Sequence, residues 1–493
     1  MANKHLIGKQ VLQMEIGPSE NAYALQQRFS EMIWKELSPR LSDLFDRFAG
    51  EDEVLRLDKI ELDLGEINFE TSNNDAIIKK IIALLEVKLS HHKTLIASKA
   101  SPDFKPEFEN IAYSRRDYVF QLWLYWLEKG VLPPYALELQ RDWMPMVLET
   151  LAMEYRAISA LTETLRNDSN ALQRLILQHK KKDLRSITEL YTGLPQLRLL
   201  DFLAEFQVYF QREEKTARLL KTNYRELEIQ FWKLIFGEVI LKSKKLDSKQ
   251  LIEKSLITHP EEFLRIMAES LENKKRDSSS VLSFHLRAIK SELNKTQEVR
   301  ESQSREIVDK ERGVETQKKL ENKGEIETPQ FLKNAGLVLL HPFLSRLFEK
   351  LKLLDKMRFK DFNSQNKAVL LLQFMASGES PVSEYELLLP KFLCGMPANL
   401  PLDHTIQLTK RDKKEANVLL EAVIENWGAL GGTTPDGLRE GFLIRDGKLY
   451  NKDSGWKLIV EPKTIDILLD RVPWNLSHIK LPWMEELLKV EWR

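Results

Sequence analysis

Few residues in this chain have the type and spacing that chemistry requires. Asp58, Glu61, Asp63 and Glu66 alternate with aliphatics in DKIELDLGE, which could set paired carboxylates on one strand face for acid–base work or a cation. A half-exposed strand shows water the same alternation, and that reading is preferred. Asp470, Ser477 and His478 supply the residue types of a hydrolytic triad, yet Ser477 lies in no GxSxG turn. His91 and His92 are neighbours, so their side chains diverge and a shared metal is not expected. The chain has no HExxH, no GxxxxGK[ST] and no GxGxxG, and GALGGT at 428–433 reads as a turn-forming cluster. Cys394 is the sole cysteine; it excludes an intramolecular disulfide, and its setting in LLLPKFLCG suits a buried small hydrophobe. QHKKKD at 178–183 reads as a solvated helix end. Catalytic, cofactor-binding and metal-binding residues are therefore expected to be none, and the chain is not expected to be an enzyme.

What remains is recognition. Trp456, Trp474, Trp483 and Trp492 gather in an apolar C-terminal stretch, and tryptophan is over-represented at binding hot spots. These four are the candidate interface, with burial in their own domain as the competing reading. Acidic and basic residues balance at 74 each, so no net field draws the chain to nucleic acid or to an anionic membrane. No run approaches the length of a membrane span, and the first residues lack a signal-peptide core. A soluble protein made in the cytosol is expected.

The elements that must position these residues are mainly helical, with small β elements. Residues 1–98 read as an α+β module. Its parts are a strand over 5–16, a helix from about 20 to 48, alternation over 54–64 that is either two strands or one with a bulge at Asp58–Lys59, and a helix from about 75 to 90. A polar linker over 100–115 follows. Residues 116–290 keep a helical period without a fixed repeat, so a central helical bundle is preferred over irregular helical repeats. Residues 291–328 are charged, mixed in sign and without aromatics, the composition of a flexible linker. Residues 329–493 read as a helical domain with a β-hairpin, its tip at Asp446–Gly447, and the tryptophan-rich end, where Pro473 and Pro482 forbid one continuous helix.

Six blocks in order resemble one family: NAGLVLLHPFLSRLFEKLKLL (334–354), AVLLLQFMASGE (368–379), ELLLPKFLCGMP (386–397), EANVLLEAVIENWGAL (415–430), DGLREGFLIRDGKL (436–449) and LLDRVPWNLSHIKLPWM (468–484). It is the tape measure proteins of extracellular contractile injection systems, which are phage-tail-like particles. VLRLDKIELDLGEI (54–67) is similar to that family's opening segment, and WLYWLEKGVLPP (123–134) to its aromatic-helix–Gly–Leu–Pro element.

The resemblance implies a structural assembly role. Such a protein sits with the baseplate or in the lumen of the growing inner tube and helps set where polymerisation stops. Inner tube, baseplate, hub or cap proteins would be partners, and several copies would share one particle. Assembly in the cytoplasm would precede residence in the extracellular particle. A fully helical chain would span roughly 740 Å at about 1.5 Å per residue, but the prolines forbid a single rod. Folded ends with residues 150–290 and the charged linker extended between them are the expectation. A helical-repeat adaptor built on 116–290 is the alternative, and a hydrolase the last.

Overall fold

The computed structural model describes residues 5–15, 22–48, 50, 52–67, 73–98, 111–136, 142–212, 222–273, 280–289, 329–380, 382–452 and 455–492. The expected linker at 291–328 lies outside them. The architecture is mainly α with small β elements. Two compact units emerge: Met1–Tyr125 with Tyr135–Ala160, and Trp126–Pro134 with Leu161–Arg493.

In the first unit, α1 (Ala22–Met32) continues through a π turn at Ile33–Leu37 into α2 (Ser38–Phe48), as one expected helix with an extra residue in its middle. Phe29, Leu37, Leu41 and Leu44 follow at spacings of eight, four and three residues, which puts them on one face. They pack on Ile77, Ile78, Ile81, Leu85 and Leu89 of α3 (Asn74–Ser98), and all are buried. β1 (Glu53–Arg56) pairs antiparallel with β2 (Ile111–Ser114), Leu55 opposite Ala112.

Three expectations fail in this unit. Residues 5–15 form no strand; Leu6, Ile7 and Val11 are exposed, because parity alone supplies no neighbour to pair with. The second alternating run, Ile60 to Leu64, is extended but joins no sheet. The expected polar linker contains β2, where Tyr113 is buried; its residues 101–110 lie outside the described ones.

The second unit is built of short helices with local stops. Asp168 caps α7 (Ser169–Gln178) by accepting from the Asn170 amide, and Gly193 ends α8 (Lys181–Thr192) in the left-handed region. Asn223 caps α10 (Tyr224–Phe236), and Asp247 with Gln250 makes a capping box on α11 (Ser248–Ile257). Phe202 of α9 (Arg198–Arg212) stacks on Phe231 at 5.5 Å. Helix 281–289 enters the same unit through Leu282, Leu286 and Ile289, its first amides held by Glu205. Residues 161–289 are thus folded wherever they are described, not extended as expected.

The C-terminal part carries α14 (His341–Lys350) with Pro342 at its first turn, α15 (Phe362–Ser377) closed by Gly378, α16 (Leu388–Leu393) followed by Gly395, and α17 (Lys410–Asn426) with a Thr409–Asp412 capping box. They flank a five-stranded sheet of order β3–β6–β7–β9–β8. Its strands are β3 (Gln330–Leu332), β6 (Gly447–Lys452), β7 (Gly455–Val460), β8 (His478–Ile479) and β9 (Leu488–Glu491); a small β4–β5 hairpin (Leu354–Asp355, Arg358–Phe359) stands apart. β7 and β9 run parallel and the other pairs antiparallel.

The expected hairpin is β6–β7, but Asp446–Gly447 is not its tip. Gly447 opens β6 and pairs with Val460, at the end of the ladder opposite the Lys452–Gly455 pair. The reason for glycine there is space. A Cβ on Gly447 would lie 2.6 Å from the Ala335 Cβ and 2.9 Å from the Ile459 carbonyl.

Candidate functional site

Three charged side chains meet in the interior of the second unit. Ala171, Leu175 and Ile176 turn one face of α7 into the core, and Arg174 goes in with them. Its guanidinium is fully buried. Nε donates to Glu384 Oε2 at 3.1 Å, and the two terminal nitrogens donate to the carbonyls of Leu127 and Asn399. Glu384 also accepts from Lys391 Nζ at 2.6 Å, and Lys391 donates to the carbonyls of Ala398 (3.0 Å) and Leu400 (2.9 Å). Two cations thus share one anion, and backbone carbonyls take the remaining donors. Burial depresses the Lys391 ammonium below its usual range, the Arg174 charge adds to this, and Glu384 opposes it.

Gly130 completes the joint. It closes α4 (Arg115–Lys129) at φ +76°, and a Cβ there would stand 2.7 Å from both the Ala398 carbonyl and Arg174 Nη2. The glycine of WLYWLEKGVLPP is therefore where the 398–400 chain closes down on the helix end.

The same seam continues outward. Gln178 donates to the Leu402 carbonyl at 2.6 Å, and the His404 amide to the Leu177 carbonyl at 3.3 Å. Arg225 grips Asp403 with two bonds of 2.9 Å and reaches Glu228 at 2.8 Å. Burial raises the Asp403 carboxyl, but bonds from Arg225 and Thr405 outweigh it and hold the group below its ordinary value. His179 is buried beside Trp126, its ring nitrogen 2.9 Å from the Leu175 carbonyl, and burial pushes it down to about 4. Helices α7 and α10 are fastened to the 384–404 segment by side chains drawn from sequence positions about two hundred residues apart.

The four tryptophans do not converge. Trp456 packs on Phe392 at 4.9 Å. Trp474 meets Phe343 edge-on at 5.2 Å, with its indole N–H buried and unbonded. Trp483 lies against Phe348 and Phe359 and donates to the Leu393 carbonyl at 2.8 Å. Trp492 is 9 % exposed and donates to Asp466, which also takes Arg445 at 2.6 Å and the Lys463 amide at 2.7 Å. They dress four parts of the C-terminal domain.

Nor does the structure assemble the other chemical candidates. Glu61 pairs with Lys59, whose contact lowers its carboxyl pKa, Asp58 lies 3.7 Å from Arg56, and Asp63 accepts from the Gly65 amide. His478 pairs with Lys489 in the β8–β9 ladder, and the Ser477 carbonyl accepts from the Val490 amide. The His91 and His92 rings stand 6.3 Å apart. Cys394 is fully buried, which raises its thiol well above the usual range. Among the described residues, no group of three His, Cys, Asp or Glu could hold a metal, and no helix is long and apolar enough to cross a membrane.

Sequence reasoning missed the Arg174–Glu384–Lys391 joint. The available signal was a charge inside an apolar turn, in ALQRLIL and in LLLPKFL. A lone charge in such a setting requires a buried partner, although the sequence does not name it.

Among protein-family models, the one described as contractile injection system tape measure protein matches residues 4–492. Comparison with curated proteins and with solved structures finds no match.

Proposed function

The chain belongs to the contractile injection system tape measure protein family, and from that premise we propose that it works as a folded assembly factor which helps fix inner-tube length and links baseplate to tube. The family is a structural one, and its place is within the tail tube and baseplate assembly. Near-complete coverage of the chain carries this reading.

The finer picture follows from the joint. Residues 161–289 cannot be drawn out into a ruler without leaving Arg174, Glu384 and Lys391 buried and unpaired, or exposing the core around them. We take the second unit as a head that docks on the inner tube or on baseplate, hub or cap proteins, in more than one copy per particle. Assembly would begin in the cytoplasm and end in an extracellular particle. Trp456, Trp474, Trp483 and Trp492 stay the proposed interface. Trp474 leads, because its ring is only half-buried and its N–H has no partner among the described residues.

Deleting the gene in the producing strain tests the role. Particles should vanish or lose their uniform tube length in electron micrographs; particles of normal length and number would end the proposal. Trp474→Ala should lower particle yield while the purified chain keeps its melting temperature. A lowered melting temperature with normal yield would remove Trp474 from the interface.

A further inference from the structure

The five-stranded sheet of the second unit buries one of its faces. Leu332, Leu449, Leu458, Val460, Leu488 and Val490 go into the core, and alternation sends the residues between them to the other side. There the register lines them up in two rows across the strands. One row is Phe331, Lys448, Ile459 and Glu491; the next is Tyr450, Lys457, Lys489 and His478. Phe331 is 58 % exposed, and Lys448, Lys489 and His478 are exposed with it.

The charges in these rows are not balanced. Lys457 stands directly beside Lys489, at the strand spacing of about 4.8 Å, and like charges so placed repel. Glu491 pairs with Lys457. Among the described residues, no carboxylate meets Lys489 or Lys448. The Lys448 ammonium lies instead over the Phe331 ring, 5.2 Å from its centroid. Three ammonium groups thus share one carboxylate, beside an exposed ring.

Such a face selects an anion, and its other members select the kind. Glu491 stands among the lysines, where it would repel a continuous phosphate backbone. Ile459 gives a base nothing to stack on, and the chain as a whole has no net charge to draw a polyanion. A protein surface can place separate carboxylates around Glu491 and still offer carbon to Phe331.

We propose that the outer face of this sheet docks an acidic segment of a partner protein, with carboxylates on Lys448 and Lys489 and an apolar side chain on Phe331. The inference goes beyond the family role and stands without it.

The test is fluorescence anisotropy of a dye-labelled peptide, glutamates with leucine at every fourth position, titrated with the full chain. Anisotropy should rise at low salt and fall back as salt is added. Lys448→Glu with Lys489→Glu should weaken binding roughly tenfold, and Phe331→Ala roughly threefold. All three positions are exposed, so both variants should keep the melting temperature. The double variant should instead bind the matching lysine–leucine peptide. No binding of the glutamate peptide overturns the proposal. So does an equal loss in Lys80→Glu with Lys88→Glu, exposed lysines of the first unit, which would make the attraction diffuse. Tighter binding of a single-stranded oligothymidylate overturns it too and would assign the face to nucleic acid.

Discussion

The two units keep their charges in opposite places. In the first, α1 and α2 meet α3 through an apolar core of Phe29, Leu37, Leu41, Leu44 and the α3 isoleucines and leucines, and ion pairs such as Arg40–Asp75 and Arg47–Glu86 sit on the surface with both partners about half exposed. In the second, Arg174–Glu384, Lys391–Glu384 and Arg445–Asp466 are sealed from water. An aliphatic stripe accepts any apolar partner of suitable shape, whereas a buried charge accepts only its counter-charge. The second arrangement dictates which distant segments close on one another.

The comparison breaks most visibly at Glu384. Glu384→Gln leaves Arg174 and Lys391 as buried cations without an anion, and should cost about 3–5 kcal/mol, read from urea unfolding. Arg174→Met should cost less, because it leaves the neutral Lys391–Glu384 pair and orphans only the carbonyls of Leu127 and Asn399. If Glu384→Gln proved milder than Arg174→Met, the anion would not be the keystone of the joint.

Gly130 sharpens the same point. Gly130→Ala forces a Cβ against backbone at φ +76°, while Gly193→Ala meets open space at φ +66°. The first should cost about 2–3 kcal/mol and the second about 1 kcal/mol. Equal losses would mean that backbone conformation, not closure of the 398–400 chain, sets the requirement.

Legibility divides along the same line. Features encoded locally could be read: the helix from about 20 to 48 is α1 and α2, and the helix from 75 to 90 lies within α3. Features set by a distant partner could not. β8 has two residues and β3 three, too few for a period, and each exists because another strand lies beside it. β2 hid in a polar linker because only pairing with Glu53–Arg56 makes it a strand. Asp446–Gly447 satisfies the local rule for a tight turn, yet crowding by Ala335 explains the glycine. The tryptophans were grouped by sequence, but β9 and the short strands before it distribute them over the domain. The Arg174–Glu384–Lys391 joint was the least legible feature, since each charge is placed by helices far along the chain.

Acid should act on the second unit through His179. Its folded value of about 4 lies below the usual 6.5, so between those values the unfolded chain binds a proton that the folded chain refuses. Stability therefore falls as pH drops through 6.5 toward 4, by about 2 kcal/mol at pH 5. Burial lowers His259 and His341 as well, and they act in the same direction. Unfolding midpoints across this range check the slope, and His179→Gln should flatten it. Asp403 enters later: its lowered value keeps its contribution until the pH falls below the ordinary carboxylate range.

The smallest effect belongs to Arg40 in the first unit. Its guanidinium lies 2.8 Å from Asp75, as close as many contacts in the buried joint, but both side chains are more than 40 % exposed. Water and salt screen such a pair, and the ordering of two side chains offsets the attraction. Arg40→Ala should leave the urea midpoint unmoved at physiological salt, although the bond is shorter than the 3.1 Å link between Arg174 and Glu384. Distance would then be the wrong measure of an ion pair in this chain, and burial the right one. A clear loss at Arg40 would show that the first unit also depends on charge, and the contrast between the two regions would dissolve.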